Sequence, residues 1–182
     1  TLHPSVPAKS IKELIAYDKA NPGRLNYGAG TGSLPHLATE LFNHITGTRM
    51  THVPYKGGGP IMNDLLGGQI QLYAPPIPTV VAHLKANRLR GIAVTSAKRS
   101  SALPDIPAVA ETVPGFEASN WFAVFGPKGL PKEIATRWNG EINRIVQLPD
   151  MKERMAGLGL EPAGGGQSAG EYDRLERGDH SC

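Results

Sequence analysis

Cysteine is nearly absent. Cys182 is the only one and the last residue, so the chain forms no internal disulfide and no thiolate metal knot. The six histidines, at 3, 36, 44, 52, 83 and 180, show neither HxH nor HExxH spacing, and no metal site is indicated. No apolar stretch approaches the roughly 20 residues that a membrane-spanning helix requires. Neither sign of charge dominates, with 19 Lys and Arg against 16 Asp and Glu leaving +3. The densest basic group (Lys85, Arg88, Arg90, Lys98, Arg99) is broken by Leu89 and Ile92–Val94 and has no interleaved aromatics. It reads as a solvated face and argues against a nucleic-acid groove. No pair of acids has a spacing suited to general acid–base work. No signal-peptide pattern is visible, but the chain begins at Thr1 without a methionine, so compartment is not read from this end. A piece of a longer protein is expected.

Three fingerprints also fail. Gly28-x-Gly30-x-Gly32 is not the dinucleotide motif, because its third glycine falls one position early, and no GK[ST] phosphate loop occurs. Gly166-Gln-Ser-Ala-Gly170 matches the nucleophile-elbow pattern, but only residues 171–182 follow, too few to bring an acid and a histidine from later strand ends. Ser168 to Glu171 is equally a helix capping box.

What the chain has in quantity is glycine at strand–helix junctions. The apolar run at Leu25 and Tyr27 meets Gly28-Ala-Gly-Thr-Gly-Ser33, and Pro35 sits where a helix begins. Glycines allow a tight turn, and a helix N-terminus offers unpaired N–H groups with partial positive charge. The combination is a seat for a small anion. A second such loop, His52-Val-Pro-Tyr-Lys-Gly-Gly-Gly-Pro60, lies between another apolar run and another helix. Either loop alone could be a ligand-free turn; two in succession favour ligand capture before catalysis. Candidate contacts are Gly28, Ala29, Gly30, Thr31, Gly32, Ser33, His36, Tyr55, Lys56 and Gly57. His36 could bond a ligand or simply fill the first turn of its helix. Tyr55 and Lys56 offer a hydroxyl and a charge suited to a carboxylate, or form a plain surface loop.

Around these loops, helices and apolar runs alternate. A capping box at Ser10–Glu13 opens a helix with Ile11, Leu14 and Ile15 on its apolar face, ended by Asn21-Pro22-Gly23. Runs at Leu25–Tyr27, Met50–Val53, Ile70–Ala74 and Gly91–Thr95 are expected as strands. Helices are expected over Pro35–Ile45, Ile61–Leu66 and Thr79–Ala86, with Asn87 as a left-handed cap. The rhythm predicts βαβ units and a mainly parallel sheet. From Ser96 to Gly115 prolines mark a linker, and a boundary is placed near residue 118. Beyond it lie the apolar stretch Trp121–Phe125, a helix near Pro131 and a short helix at Asp150–Ala156. The first of these helices carries the expected buried stripe Ile134, Trp138, Ile142, Ile145 and Val146.

Several ordered segments resemble one family. They are Asn21–Ser33, Thr51–Gly57, Asp64–Gln69, Ile92–Ser100, Pro107–Glu111, Pro114–Glu117 and Trp121-Phe122. Together they resemble the extracytoplasmic solute receptors of tripartite tricarboxylate transporters, the Bug family, over residues 4 to 166. The resemblance implies an α/β, periplasmic-binding-protein-like (Venus flytrap) type II fold, truncated at its N-terminus. Residues 1–118 would be a nearly complete second lobe, and 119–182 an incomplete return into the first. It implies a periplasmic protein, not an enzyme, without cofactor, that binds a small carboxylate and hands it to membrane subunits. Gly28–Ser33 and Tyr55–Gly57 match family loops that take the carboxylate. Where the family shows Asp or Asn after the third strand, this chain has Ala74-Pro75-Pro76. Rival readings are an enzyme on the same scaffold, with His36 as its one reactive candidate, and a ligand-sensing module. A truncated lobe would leave sheet edges open, so a homodimer or poor solubility is expected.

Overall fold

A computed structural model of the chain describes residues 1–119, 124–157 and 160. Two compact units divide it, Thr1–Trp121 and Phe122–Cys182.

In the first unit, helix α1 (Ile11–Ala20) starts where Ser10 Oγ accepts the Glu13 N–H at 3.2 Å. The Glu13 carboxylate reaches back one residue further than a capping box requires, to the Lys9 N–H at 2.7 Å. Strand β1 (Asn26–Ala29) leads into α2 (Leu34–Thr46), which closes on Gly47 at φ +68°. Strand β2 (Thr51–Pro54) runs parallel to β1 and feeds α3 (Gly58–Leu66). Helix α4 (Ile77–Lys85) follows, with Asn87 in the expected left-handed conformation at φ 54°.

The sheet is wider than its two regular strands. Gln71 and Leu72 N–H groups donate to Asn26 C=O, and Gly28 N–H donates to Leu72 C=O, giving a parallel bridge from Tyr27 to Leu72. The expected strand Ile70–Ala74 is reduced to this bridge because Pro75 and Pro76 have no N–H to extend a ladder. Leu2 adds antiparallel bridges to Leu72 on one side and Arg90 on the other. The chain's first residues are thus an inner position of the sheet, which periodicity does not reveal. The run Gly91–Thr95 forms a single described bridge, Val94 with Ala108, and Thr95 C=O accepts the Ala118 N–H.

Side chains of this sheet divide between two cores, with the ladder irregular at Gln71 and Leu72, whose N–H groups share the Asn26 carbonyl. Tyr27, Ala29 and Leu72 join a core with Leu14, Phe42, Val109, Val113 and Phe116, on the side of α1 and α2. Ile70 and Tyr73 join Ile61, Leu65 and Val80, on the side of α3 and α4. The stretch expected as a linker therefore contributes core: Val109, Val113 and Phe116 are at most 5% exposed, held by a 3-10 turn at Val109–Glu111.

In the second unit, α5 (Lys132–Val146) and α6 (Pro149–Gly157) form near the expected positions. The expected burial of α5 does not hold. Ile134, Trp138 and Ile145 are 44%, 60% and 37% exposed, and Ile142 and Val146 only half-buried, because no described layer covers that face. The glycine run at 164–166, the serine of the elbow-like motif and the tail lie outside the described residues, as does Asn120-Trp121-Phe122.

Candidate functional site

Both glycine loops leave the carboxyl edge of the sheet, and they meet. Ala29 C=O accepts the Tyr55 N–H at 3.0 Å, fixing the end of β2 beside the end of β1. A Cβ on Gly30 would stand 3.5 Å from the Tyr55 carbonyl oxygen, so the first turn leaves room for little more than a methyl beside the second loop.

The first loop is a tight turn. Ser33 N–H donates to Gly30 C=O at 3.0 Å, and Gly32 takes φ +77°, a conformation that glycine adopts freely. Gly32 N–H donates to His36 Nδ1 at 3.1 Å. Two of the loop's N–H groups are therefore committed to holding its shape. The N–H groups of Thr31, Leu34 and His36 have no partner among the described residues, and they surround the positive end of α2. Ser33 occupies the N-cap position without capping, and its Oγ is enclosed with no partner.

His36 is held from two sides. Its ring stacks on His52 at 4.1 Å between centroids, and His52 in turn stacks on Tyr27 at 5.1 Å. His52 Nε2 donates to Ala29 C=O at 3.1 Å, and Tyr27 OH donates to a Glu40 carboxylate oxygen at 2.5 Å. Burial first, then this bond to a carboxylate, pushes the Tyr27 hydroxyl well above the ordinary tyrosine range. The array ties β1, β2 and α2 together beneath the loop. With its Nδ1 occupied by a backbone donor, His36 is built as a loop support. His52 was not singled out in the sequence; the β1–β2 register, which places it opposite Tyr27, is what brings it here.

The second loop opens α3. The N–H groups of Gly57, Gly58 and Gly59 are unpaired among the described residues, and Lys56 is exposed with no ion-pair partner there. Tyr55 turns inward: its hydroxyl donates to Asp64 at 2.5 Å, and burial together with that bond pushes its pKa up to about 12.

The candidate residues thus separate by position. Thr31, Gly32, Lys56 and Gly57 are exposed at the edge, with Gly30, Ser33, His36 and Tyr55 partly buried behind them. Gly28 and Ala29 are buried within β1. A Cβ on Gly28 would lie 2.6 Å from Ile70 Cδ1 and 2.7 Å from Ile61 Cγ2, so that glycine answers to helix–sheet packing.

Residues 1–177 match the family described as the tripartite tricarboxylate transporter family receptor. BugT of Bordetella pertussis is 39% identical over 162 residues, which cover 88% of this chain and 50% of BugT. The structure of Rpa4515 from R. palustris with adipate superposes with a TM-score of 0.87 at 37% identity, covering 98% of this chain and 60% of that one. MatC from Rhodopseudomonas palustris with bound malate gives 0.82 at 26% identity, covering 98% and 62%. The periplasmic binding protein BugD gives 0.83 at 29%. The fold is the α/β fold of these periplasmic binding proteins, as the sequence resemblance implied. The chain spans about half the length of the curated relatives it matches.

Proposed function

The chain belongs to the tripartite tricarboxylate transporter receptor family, and from that premise we propose that it is a periplasmic solute receptor. It captures a small carboxylate and presents it to the membrane subunits of a tripartite transporter, binding without turnover. Residues 1–118 act as its second lobe. The observation that carries this reading is the pair of helix N-termini, α2 and α3, opened by glycine loops whose starts are joined by the Tyr55 N–H to Ala29 C=O hydrogen bond. Unpaired N–H groups of Thr31, Leu34 and His36 take one carboxylate, with the Thr31 hydroxyl, the Ser33 hydroxyl after χ1 rotation, and the field of Lys56. Each charge-assisted bond contributes roughly 1.5–3 kcal/mol. Support comes from two similar proteins whose structures hold adipate and malate, both dicarboxylates.

The test is an amide-resolved NMR titration of the 182-residue chain with adipate and with malate, which detects weak as well as tight binding. Shifts concentrated at residues 30–36 and 56–59, weakened by Thr31→Ala with Ser33→Ala, are expected. Absence of saturable shifts with either acid on the folded chain would overturn the reading, and so would the double variant binding both acids unchanged.

A further inference from the structure

At the third position of the sheet, Leu72 enters one core cluster and Tyr73 the other. Tyr73 is 5% exposed, so packing fixes its ring. Its hydroxyl ends at the start of α3, where a Cβ on Gly58 would lie 3.4 Å from the oxygen. Tyr27 and Tyr55 donate their hydroxyls to Glu40 and Asp64; that of Tyr73 has no partner among the described residues. Burial raises its pKa, so it stays a neutral donor. The ring is buried but the oxygen itself is not enclosed, so the hydroxyl is open to water and to an incoming acceptor that can replace that water.

The next residues sharpen this. Ala74, Pro75 and Pro76 carry no polar side chain, and the two prolines no N–H. Side-chain recognition from this strand end falls to Tyr73. It also neighbours the carboxylate seat: Tyr55 N–H donates to Ala29 C=O beside Gly30, and a Cβ on Gly58, three residues after Tyr55, would meet the Tyr73 hydroxyl at 3.4 Å.

We infer that Tyr73 is a specificity-determining residue whose hydroxyl donates to a second carboxylate of the ligand, at the α3 N-terminus, so that the site selects dicarboxylates over monocarboxylates of equal length. The inference rests on the carboxylate-receptor reading above. It assigns the two ends of the ligand to different helices: the first carboxylate to the N–H groups opening α2, the second to Tyr73 and the unpaired N–H groups of Gly58 and Gly59.

Adipate and hexanoate share a six-carbon chain and differ in the second carboxylate, which makes them the probes. Each is titrated into the wild-type chain and into Tyr73→Phe, followed by amide NMR. The variant keeps the ring and removes an oxygen that bonds nothing in the described structure, so its amide spectrum in the absence of ligand should match the wild type. Tyr73→Phe is expected to weaken adipate roughly tenfold, as loss of one charge-assisted bond does, and to leave hexanoate unchanged. Equal adipate affinity in the two proteins would overturn the inference, as would an equal loss for both acids. A wild-type chain that binds neither acid would instead overturn the receptor reading, and this inference with it.

Discussion

Alanine at Gly28 and at Gly30 should separate packing from ligand recognition within three residues. At Gly28 the new methyl meets Ile70 Cδ1 at 2.6 Å, Ile61 Cγ2 at 2.7 Å and Tyr55 Cε2 at 3.2 Å. Comfortable carbon contacts lie at about 3.5–4.0 Å, so two neighbours must move by roughly an ångström. Ile70 Cδ1 can swing about χ2; Ile61 Cγ2 sits on a β-branched carbon in a helix, where χ1 is stiff. Overpacking of this kind costs about 1–3 kcal/mol, offset by about 0.4–1 kcal/mol from the less flexible unfolded chain. The net loss is about 1–2 kcal/mol, a drop of several degrees in Tm. At Gly30 the nearest atoms would be 3.5–3.7 Å away and the backbone is not left-handed, so alanine fits. Gly30→Ala should leave stability unchanged or slightly raised, while its methyl crowds the carboxylate seat and weakens adipate about tenfold or more. Urea denaturation and adipate titration of both variants measure the two effects. Ile70→Val removes the Cδ1 atom and should recover part of the Gly28→Ala loss. Equal destabilisation by the two alanines, or a neutral Gly28→Ala, would refute the reasoning.

Other consequences follow from the same geometry. His36→Ala removes the acceptor for the Gly32 N–H and should speed exchange of that amide; His36→Asn, which offers an oxygen near the Nδ1 position, should restore much of the protection. Glu111 accepts from Arg99 at 2.7 and 2.8 Å and from the Ala108 N–H, which holds its carboxyl at about 2 against an ordinary 4.5. A depressed folded pKa stabilises above the ordinary value and is lost as pH falls toward the lowered one. Wild type should therefore lose this increment between 4.5 and about 2, while Glu111→Gln shows none of it, as pH-dependent denaturation will report. Both partners are exposed, so added salt should shrink the difference. Trp138 is 60% exposed on α5, and Trp138→Glu should change stability by no more than about 0.5 kcal/mol while reducing self-association measured by light scattering.

Helices were legible because their signals are local. Ser10 with Glu13, Pro35 with Gly47, and Asn87 each act within a turn or two of chain, and each sits in the structure where that chemistry requires. Sheet pairing was less legible because partners are chosen across long separations. Nothing around Leu2 announces that it bridges Leu72 and Arg90, and no local pattern makes Val109, Val113 and Phe116 core rather than linker. The buried stripe expected for α5 has the correct period, but period reports a face able to be covered and not what covers it.

The same distinction runs through the candidate site. Glycine, proline and helix chemistry marked both loops, because an N-terminus with free N–H groups is written in a short stretch of sequence. The groups that shape and complete the loops are written elsewhere: His52 enters through strand register, Glu40 through the second turn of α2, and Tyr73 through alternation on a strand that reads as plain apolar. Within the glycine motif itself, composition cannot rank Gly28 and Gly30, since both are glycines beside a turn. Only the neighbours assign one to Ile61 and Ile70 and leave the other at the open edge. A glycine-rich motif therefore locates a candidate binding edge, and the division of labour inside it follows from which Cα faces a helix.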